Sequence, residues 1–323
     1  MSTPLSSTTP IRHFLTVDDL QPDELLAVLD LADDLKAQRP RPGRGPVSDF
    51  GTALAGHSIA LIFEKSSTRT RVSFEVGVRE LGGHPLVLNR DQLQLGRGET
   101  VADTAKVLSR YVHAIVLRTF GQDRLETLAE AGSVPVVNAL SDLAHPCQAV
   151  ADLQTIREYK GGLSGLKLAY VGDGNNVAHS LLKAGAMMGM HVAVATPPGY
   201  APDAQVVDEA IELADPSDGR ITITTDPVQA VEDADVLYTD VWASMGQEAE
   251  AAERAAVFAG YQLNTASLDL ARPDAIVMHC LPAHRGEEIT EEVLEGDASV
   301  VFTQAENRLH AQKALLLTLL GRA

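Results

Sequence analysis

The chain has 323 residues, of which 45% are hydrophobic and 22% are charged, and its formal net charge is −18. This length indicates about two domains, and the negative field excludes nucleic acid and anionic membranes as expected partners. The two cysteines, Cys147 and Cys280, lie in different halves of the chain. That placement argues against a disulfide scaffold and fits the reducing cytoplasm.

The N-terminal part of the chain predicts a tail, a helix and a loop. Residues 1–10 are rich in Ser, Thr and Pro and lack an apolar core, so we expect a disordered tail rather than a secretory signal. Residues 18–37 have the apolar spacing of a helix, and residues 38–56, rich in Pro, Gly and Arg, are typical of a loop. No apolar run approaches the roughly 20 residues of a membrane span.

Strands and helices then alternate in a first series. Strand-like apolar runs lie at 58–63, 84–88, 113–118 and 134–138, and helical stretches lie between them at 71–81, 100–111 and 122–131. This alternation predicts a parallel sheet with helices on both faces.

A second series follows a joining helix at 146–160. Its strand-like runs lie at 167–171, 191–196, 220–225, 235–239 and 275–280, and an apolar-ended helix at 304–319 closes the chain. The predicted fold is α/β, with two doubly wound parallel-sheet domains linked by helices and the active site in the interdomain cleft. We expect the first domain to span 11–150 and the second 151–303, with 304–320 packing back on the first.

The segment at 67–71, Ser-Thr-Arg-Thr-Arg, sits where the first strand ends and a helix begins. The first N–H groups of a helix lack intrahelical partners, and the helix dipole is positive there. A Ser or Thr at this position is often only a cap. Two arginines in a first helical turn are unfavourable unless an anion offsets them, so the segment predicts a site for a phosphate-type anion.

Other polar clusters follow later strands and allow more than one interpretation. Residues 172–177 resemble a dinucleotide fingerprint only weakly, because Val177 replaces the third glycine and no acid lies about 20 residues on. The asparagines there could hold a polar ligand or cap a helix. Asp240 could contact an amino group or cap a helix.

Residues 279–285 also close a strand and carry Cys280. The thiol could lie in a cleft, or it could be a buried cysteine beside a proline turn, as free cysteines usually are. A metal site is a third possibility, but no second Cys or acidic ligand lies at zinc spacing. We therefore expect no metal.

Four motifs in the same order resemble the aspartate and ornithine carbamoyltransferase family, over about residues 12–320. They are residues 63–71, residues 145–148, Asp240 with residues 244–246, and residues 279–282. The first two are shared with the aspartate-specific members, and the last two are similar to the ornithine-specific ones. The segment 87–94 has no Lys, whereas aspartate-specific members place one there, and this departure favours ornithine.

The resemblance implies transfer of the carbamoyl group from carbamoyl phosphate to the δ-amine of L-ornithine, giving citrulline and phosphate in arginine biosynthesis. It implies a cytoplasmic homotrimer, or a multiple of trimers, that needs no cofactor because the carbamoyl group is already activated by its phosphate. The same residues would serve the catabolic direction. A sister transferase for putrescine or acetylornithine, or a non-enzymatic binding protein of the same fold, are the competing interpretations.

The resemblance also assigns residues to the two substrates. The residues implied for carbamoyl phosphate are Ser67, Thr68, Arg69, Thr70, Gln94, Arg118, His145, Gln148, Cys280, Leu281 and Arg308. Those implied for ornithine are Asn176, Asp240, Ser244 and Met245.

Four of these residues, Arg118, His145, Asp240 and Cys280, would be catalytic. Arg118 and His145 would stabilise charge on the carbonyl oxygen during attack. The attacking amine must lose a proton, which either a Cys280 thiolate or the leaving phosphate could accept.

Overall fold

A computed structural model describes residues 12–39, 50–94, 98–243 and 248–323 of the chain. The predicted tail at 1–10 therefore lies outside the described residues, as do most of the predicted loop at 38–56 and the two predicted ornithine-binding residues Ser244 and Met245.

Two separate parallel sheets form the framework. Nine strands make them up within the described residues: β1 (Ser58–Phe63), β2 (His84–Asn89), β3 (Ala114–Arg118), β4 (Val136–Leu140), β5 (Lys167–Val171), β6 (His191–Ala195), β7 (Arg220–Thr224), β8 (Val236–Thr239) and β9 (Ile276–His279). The first sheet has the order β2-β1-β3-β4 and the second β7-β6-β5-β8-β9. Every strand pair is parallel, so the predicted pair of parallel sheets is confirmed.

Helices connect the strands and cover the sheets. They are α1 (Pro22–Ala37), α2 (Thr68–Glu80), α3 (Val101–Leu108), α4 (Gln122–Ala131), α5 (Pro146–Lys160), α6 (Asn176–Met187), α7 (Ala204–Ala214), α8 (Pro227–Val231), α9 (Ala251–Phe258), α10 (Thr265–Leu270), α11 (Glu291–Leu294) and α12 (Val301–Leu319). The connecting helices return the chain to the starting end of the next strand, so all strands of a sheet point the same way. The carboxyl ends of the strands therefore lie along one edge of each sheet.

Several helix boundaries differ from the sequence-based prediction. The first helix does not start at Asp18: a short 3-10 turn at Val17–Asp19 is followed by α1, which starts at Pro22. Proline has no N–H and disfavours helical geometry in the preceding residue, so it begins a helix rather than lying inside one. The second helix starts at Thr68, before the predicted position 71, because its first turn is polar and carries no apolar period.

Successive side chains of the first sheet point to opposite faces, and both faces are buried,. Ile59 and Leu61 of β1 point into the largest apolar cluster, whereas Ala60 and Ile62 point into a second one. The second sheet divides in the same way, and its Leu168 and Tyr170 share the largest cluster with β1. One continuous core therefore runs between the two sheets.

Helices α5 and α12 pack against each other, and α12 also packs against α1 and α2. The C-terminal helix thus returns to the first half of the chain and carries Arg308 toward the start of α2. Among the residues that the structure describes, none of the helices is both long and apolar enough to cross a membrane.

Candidate active site

The start of α2 lacks the side-chain hydrogen bond of an ordinary N-cap. Ser67 occupies the N-cap position in an extended conformation, but its side chain makes no capping hydrogen bond. The first turn contains no acidic residue, although Arg69 and Arg71 both lie in it. The interpretation of Ser67 as only a cap is therefore disfavoured, and the N–H groups of this helix start, which no side chain caps, are available to an anion,.

Polar residues cluster at the point in each sheet where the strand order reverses. In the first sheet this point lies between β1 and β3, with Ser67 after β1 and Arg118 at the end of β3. In the second sheet it lies between β5 and β8, with Asn175 after β5 and Asp240 after β8. Open parallel sheets bind ligands at such switch points, and here the two points contribute to one site.

Two arginines bridge the halves of this site. Nη2 of Arg69 donates to the carbonyl oxygen of Leu281, which follows β9 of the second sheet. Arg308 from α12 is buried and donates to Oγ1 of Thr70 at 3.1 Å and to Oε1 of Gln148. All three acceptors are uncharged oxygens, so neither guanidinium forms an ion pair through these contacts.

Arg118 and His145 add further polar groups to the same position. The pairing of β3 with β4 shifts register between Leu117 and Arg118, a bulge of the kind that re-aims a side chain beside a site. Burial, followed by repulsion from Arg308, lowers the pKa of Arg118 to about 10. Nε of Arg118 and Nδ1 of His145 are buried without a partner among the described residues, an arrangement that suits a polar ligand.

His145 is uncharged at neutral pH. Burial lowers its pKa well below the usual value, and the positive charges of Arg308, Arg118 and Arg69 lower it further. Its backbone N–H donates to Oγ of Ser180 at 2.8 Å, which fixes the start of α5 against α6. A neutral imidazole in this setting can donate one hydrogen bond without adding another charge.

The second half of the site presents a carboxylate and a thiol in contact. Sγ of Cys280 donates to Oδ1 of Asp240 at 2.9 Å, and Nδ2 of Asn175 donates to Oδ2 of Asp240 at 2.9 Å. Burial raises the pKa of Cys280 well above its usual value, and the Asp240 carboxylate raises it further. The arrangement therefore holds a protonated thiol beside an acidic group that can bind an amine.

The two adjacent asparagines take different roles. Oδ1 of Asn175 accepts from the N–H groups of Val177 and Ala178, which caps α6 and turns its Nδ2 toward Asp240. Asn176 instead donates to the carbonyl oxygen of Ser141 at 2.6 Å, across to the first half of the chain. The capping interpretation of residues 172–177 is thus correct for Asn175, and this residue was missed as a contact of Asp240.

Gly174 explains why this loop resembles a nucleotide fingerprint. A Cβ at that position would lie 2.3 Å from the backbone nitrogen of Pro202. The glycine is therefore required by the close packing of two backbone segments. Binding of a pyrophosphate group is not needed to explain it.

The structure also brings together a buried network that sequence reasoning did not assign. Oδ1 of Asp152 accepts from Nε2 of Gln148 and from Nε2 of Gln304, each at 2.8 Å, and its Oδ2 accepts from the hydroxyl of Tyr238 at 3.1 Å. Asp152 thereby turns Oε1 of Gln148 toward Arg308. The spacing of four residues between Gln148 and Asp152 on one helix was the available signal.

The ligand atoms of Asp240, His279 and Cys280 lie within 4.8 Å of one another, a proximity that spacing along the chain did not reveal. Both ring nitrogens of His279 are already engaged, one with the N–H of Leu281 and the other with Glu288. The thiol of Cys280 is engaged with Asp240. A metal ion would have to displace these hydrogen bonds, so the donor set fits the network better than an ion.

Gln94 lies apart from this cluster. It is exposed and follows the short 3-10 turn Arg90–Gln92 after β2. A cavity of about 900 Å³ lies beside the start of α2, lined on one side by Ser67 and Thr68 and on the other by Asn89 and Arg90.

Comparison with known proteins gives a consistent result. A family model for the aspartate/ornithine carbamoyltransferase carbamoyl-P binding domain matches residues 12–158, and one for the Asp/Orn binding domain of the same family matches residues 164–319. A protein named ornithine carbamoyltransferase from Parafrankia sp. is 61% identical over 311 residues, which are 96% of this chain and 96% of that protein. One of the same name from Acidothermus cellulolyticus is 61% identical over 315 residues, 97% of this chain and 98% of that protein.

Solved structures of ornithine carbamoyltransferases are also similar to this chain. The ornithine carbamoyltransferase from Pyrococcus furiosus has a TM-score of 0.91 and 53% identity, covering 96% of this chain and 97% of its own. The anabolic ornithine carbamoyltransferase from Campylobacter jejuni has a TM-score of 0.89 and 38% identity, covering 97% of this chain and 100% of its own.

Proposed function

The chain belongs to the aspartate/ornithine carbamoyltransferase family, and we propose that its site between the two sheets performs the reaction of that family on ornithine. The enzyme transfers the carbamoyl group of carbamoyl phosphate to the δ-amine of L-ornithine, giving L-citrulline and phosphate. We place this reaction in arginine biosynthesis.

The phosphate of carbamoyl phosphate is bound, in this proposal, by Ser67, Thr68, Arg69 and Thr70 at the start of α2. Support comes from the helix start, which has no side-chain cap, and from Arg69 and Arg308, whose hydrogen-bond acceptors are all uncharged. Charge-assisted hydrogen bonds to phosphate oxygens are among the stronger ones in proteins. We include Gln94 as a further contact, contributed across a subunit boundary.

The carbonyl oxygen of the carbamoyl group faces Arg118, His145 and Thr70. When the amine attacks, this oxygen gains negative charge, and donors already held in place stabilise it without reorganising. The neutral His145 and the buried Arg118 suit this role. The carbamoyl NH₂ donates to Oε1 of Gln148, which Asp152 turns toward the site.

Ornithine occupies the half of the site that follows β5 and β8. Its δ-amine lies against Asp240 and Cys280, while Asn176, Ser244 and Met245 hold the α-amino and α-carboxylate groups. Support for the first contact comes from the Asp240 carboxylate, which is buried and accepts hydrogen bonds only from the uncharged Asn175 and Cys280 among the described residues.

The leaving phosphate is the better acceptor for the amine proton. A thiolate at Cys280 would serve that role only if its pKa were lowered, and burial beside Asp240 raises the pKa of that thiol instead. The neutral δ-amine attacks, and the phosphate then leaves as an oxyanion next to that nitrogen. The surplus proton on the nitrogen moves to a phosphate oxygen as the carbon–oxygen bond breaks.

The assembly, the location and the domain limits are part of the same proposal. We propose a homotrimer or a multiple of trimers, in which the exposed Gln94 reaches a neighbour's site. We propose the cytoplasm, because both cysteines are free thiols and disulfides are rare in reducing compartments. The domain that binds carbamoyl phosphate spans 11–150 with the C-terminal helix 304–320, and the ornithine domain spans 151–303.

The observation that carries the proposal is the convergence of Arg69, Arg118 and Arg308 on one helix start opposite the Asp240–Cys280 pair. A steady-state assay with ornithine, putrescine, aspartate and N-acetylornithine tests it. Ornithine should give the highest kcat/KM by a wide margin. Preference for putrescine would indicate a transferase that does not recognise an α-carboxylate. No turnover with any amine would indicate a non-enzymatic binding protein.

A further inference from the structure

A fully buried carboxylate, Glu288, lies outside the set of residues assigned to the substrates. Its Oε1 accepts two hydrogen bonds, one from Nε2 of His279 at 3.1 Å and one from the backbone N–H of His284 at 2.6 Å. Carboxylates are rarely fully buried unless they are paired. These contacts therefore tie the segment after β9 to a single internal anchor.

The ring of His279 connects that anchor to the backbone of Leu281. The N–H of Leu281 donates to Nδ1 of His279 at 2.9 Å, so Nδ1 carries a lone pair and the ring proton lies on Nε2. Glu288 accepts that proton's hydrogen bond and thereby selects this tautomer. Because His279 is fully buried, water offers the ring no alternative partner.

Leu281 needs such support because its backbone is unusual. Its φ is 57°, in the left-handed region that residues with a Cβ avoid,. Strained backbone of this kind persists when the surroundings determine it and tends to occur at functional sites. In this conformation the carbonyl oxygen of Leu281 accepts from Arg69.

We propose that Glu288, acting through His279, is a positioning residue that holds the Leu281 carbonyl and the Arg69 guanidinium in the geometry that binds carbamoyl phosphate. The inference rests on the proposed function, because it assumes that Arg69 contacts that substrate. Glu288 itself touches neither substrate. Its effect reaches the site through one imidazole, one backbone N–H and one carbonyl.

Three variants of Glu288 separate this role from a general structural one. Glu288→Gln keeps an oxygen acceptor at the position that receives both hydrogen bonds, so the affinity for carbamoyl phosphate should stay within about threefold of the parent. Glu288→Ala removes the acceptor, and Glu288→Asp withdraws it by one methylene. Both should weaken carbamoyl phosphate binding about tenfold or more, since misplacement by about 1 Å can be felt strongly at such sites.

The matched control is Ile289→Ala. Ile289 is buried next to Glu288 in the core of the second sheet, so this variant loosens the same segment while both hydrogen bonds of Glu288 remain. Its KM for carbamoyl phosphate should stay near the parent's. The KM for ornithine at saturating carbamoyl phosphate should change little in every variant.

Calorimetry with a non-hydrolysable phosphonate analogue of carbamoyl phosphate measures the same effect without ornithine. Weaker binding of the analogue in Glu288→Asp and Glu288→Ala, with an affinity close to the parent's in Glu288→Gln, supports the inference. If Glu288→Ala does not fold, Glu288→Asp alone provides the test. Equal affinity in parent and Asp variant overturns it, as does equal weakening in Ile289→Ala. A parent that binds the analogue but forms no citrulline refutes the proposed function alone, and a parent that binds no analogue refutes both.

Discussion

The thiol of Cys280 donates a hydrogen bond to Oδ1 of Asp240 over 2.9 Å. The two residues follow different strands, β9 and β8, which lie side by side in the second sheet. The contact makes the thiol a donor and the carboxylate an acceptor, and burial together with Asp240 raises the pKa of Cys280. Cys280 therefore stays protonated near neutral pH, and its hydrogen bond orients the Asp240 carboxylate.

Cys280→Ser should keep this donor and retain substantial activity. Removal of a general base typically costs about 10²- to 10⁴-fold in turnover, so we expect a loss well below that range. The kcat should be measured by citrulline formation between pH 6.5 and 9.5. A loss above about 10²-fold, together with a rise of kcat with pH that is present in the parent and absent in the variant, would show that the thiol does accept the proton.

Arg69→Ala should lose about 3 kcal/mol of phosphate and transition-state interaction, or roughly 10²-fold in kcat/KM. Arg79→Ala is the matched control, because Arg79 lies on the same helix, is exposed and pairs with Glu75 at 3.2 Å. The control should behave like the parent in the same steady-state assay. Turnover of Arg69→Ala within tenfold of the parent would contradict the anion site.

Asp240→Ala should impair ornithine far more than carbamoyl phosphate, because the carboxylate faces the δ-amine in the proposed complex. The expected result is a higher KM for ornithine or a lower kcat, with the Kd of carbamoyl phosphate nearly unchanged. Steady-state kinetics for one substrate and calorimetry for the other give the comparison. Equal effects on both substrates would mean that Asp240 does not define the amine end of the site.

Arg69→Ala and Gln94→Ala should complement each other in mixed oligomers if Gln94 acts across a subunit boundary. Each variant alone lacks one residue in every site, whereas a mixed oligomer contains some sites with both residues. Co-refolding the two impaired variants should then restore part of the parent's activity. Activity of the mixture that merely equals the sum of the two separate variants would place Gln94 outside a neighbour's site.

The free energy of unfolding of Asp152→Asn should increase relative to that of the parent as the pH rises. Burial raises the pKa of Asp152 from its ordinary value to about 6, so the folded chain binds more protons than the unfolded chain between about pH 4 and 6. The parent therefore loses stability as the pH rises through that window. A pKa raised by two units corresponds to a loss of at most roughly 3 kcal/mol in the parent's free energy of unfolding. Asp152→Asn has a neutral amide at this position and should not show this loss.

Urea denaturation of parent and Asp152→Asn at pH 4.5 and pH 8 measures this difference. The exposed Asp269→Asn is the control and should show the same difference between the two pH values as the parent. A stability gap between Asp152→Asn and parent that is the same at both pH values would mean that Asp152 titrates normally in the folded chain.

Much of the framework could be predicted from residue patterns. The runs of apolar residues located all nine described strands to within two residues, because buried parallel strands are almost continuously apolar. Helix starts were less predictable: α2 begins at Thr68 and α1 at Pro22, since the first turn of a helix is polar and its position depends on capping and proline geometry.

The sequence by itself determined the two α/β halves, the polar helix start at residues 67–71 and the motifs that indicate the family. These follow from local spacing, which needs no knowledge of distant contacts. Only the tertiary structure decided that Asn175 rather than Asn176 contacts Asp240, that Asp152 orients Gln148, and that Cys280 is a protonated donor. Those outcomes depend on which side chains meet across distant elements and on how much water they exclude, and one-dimensional spacing records neither.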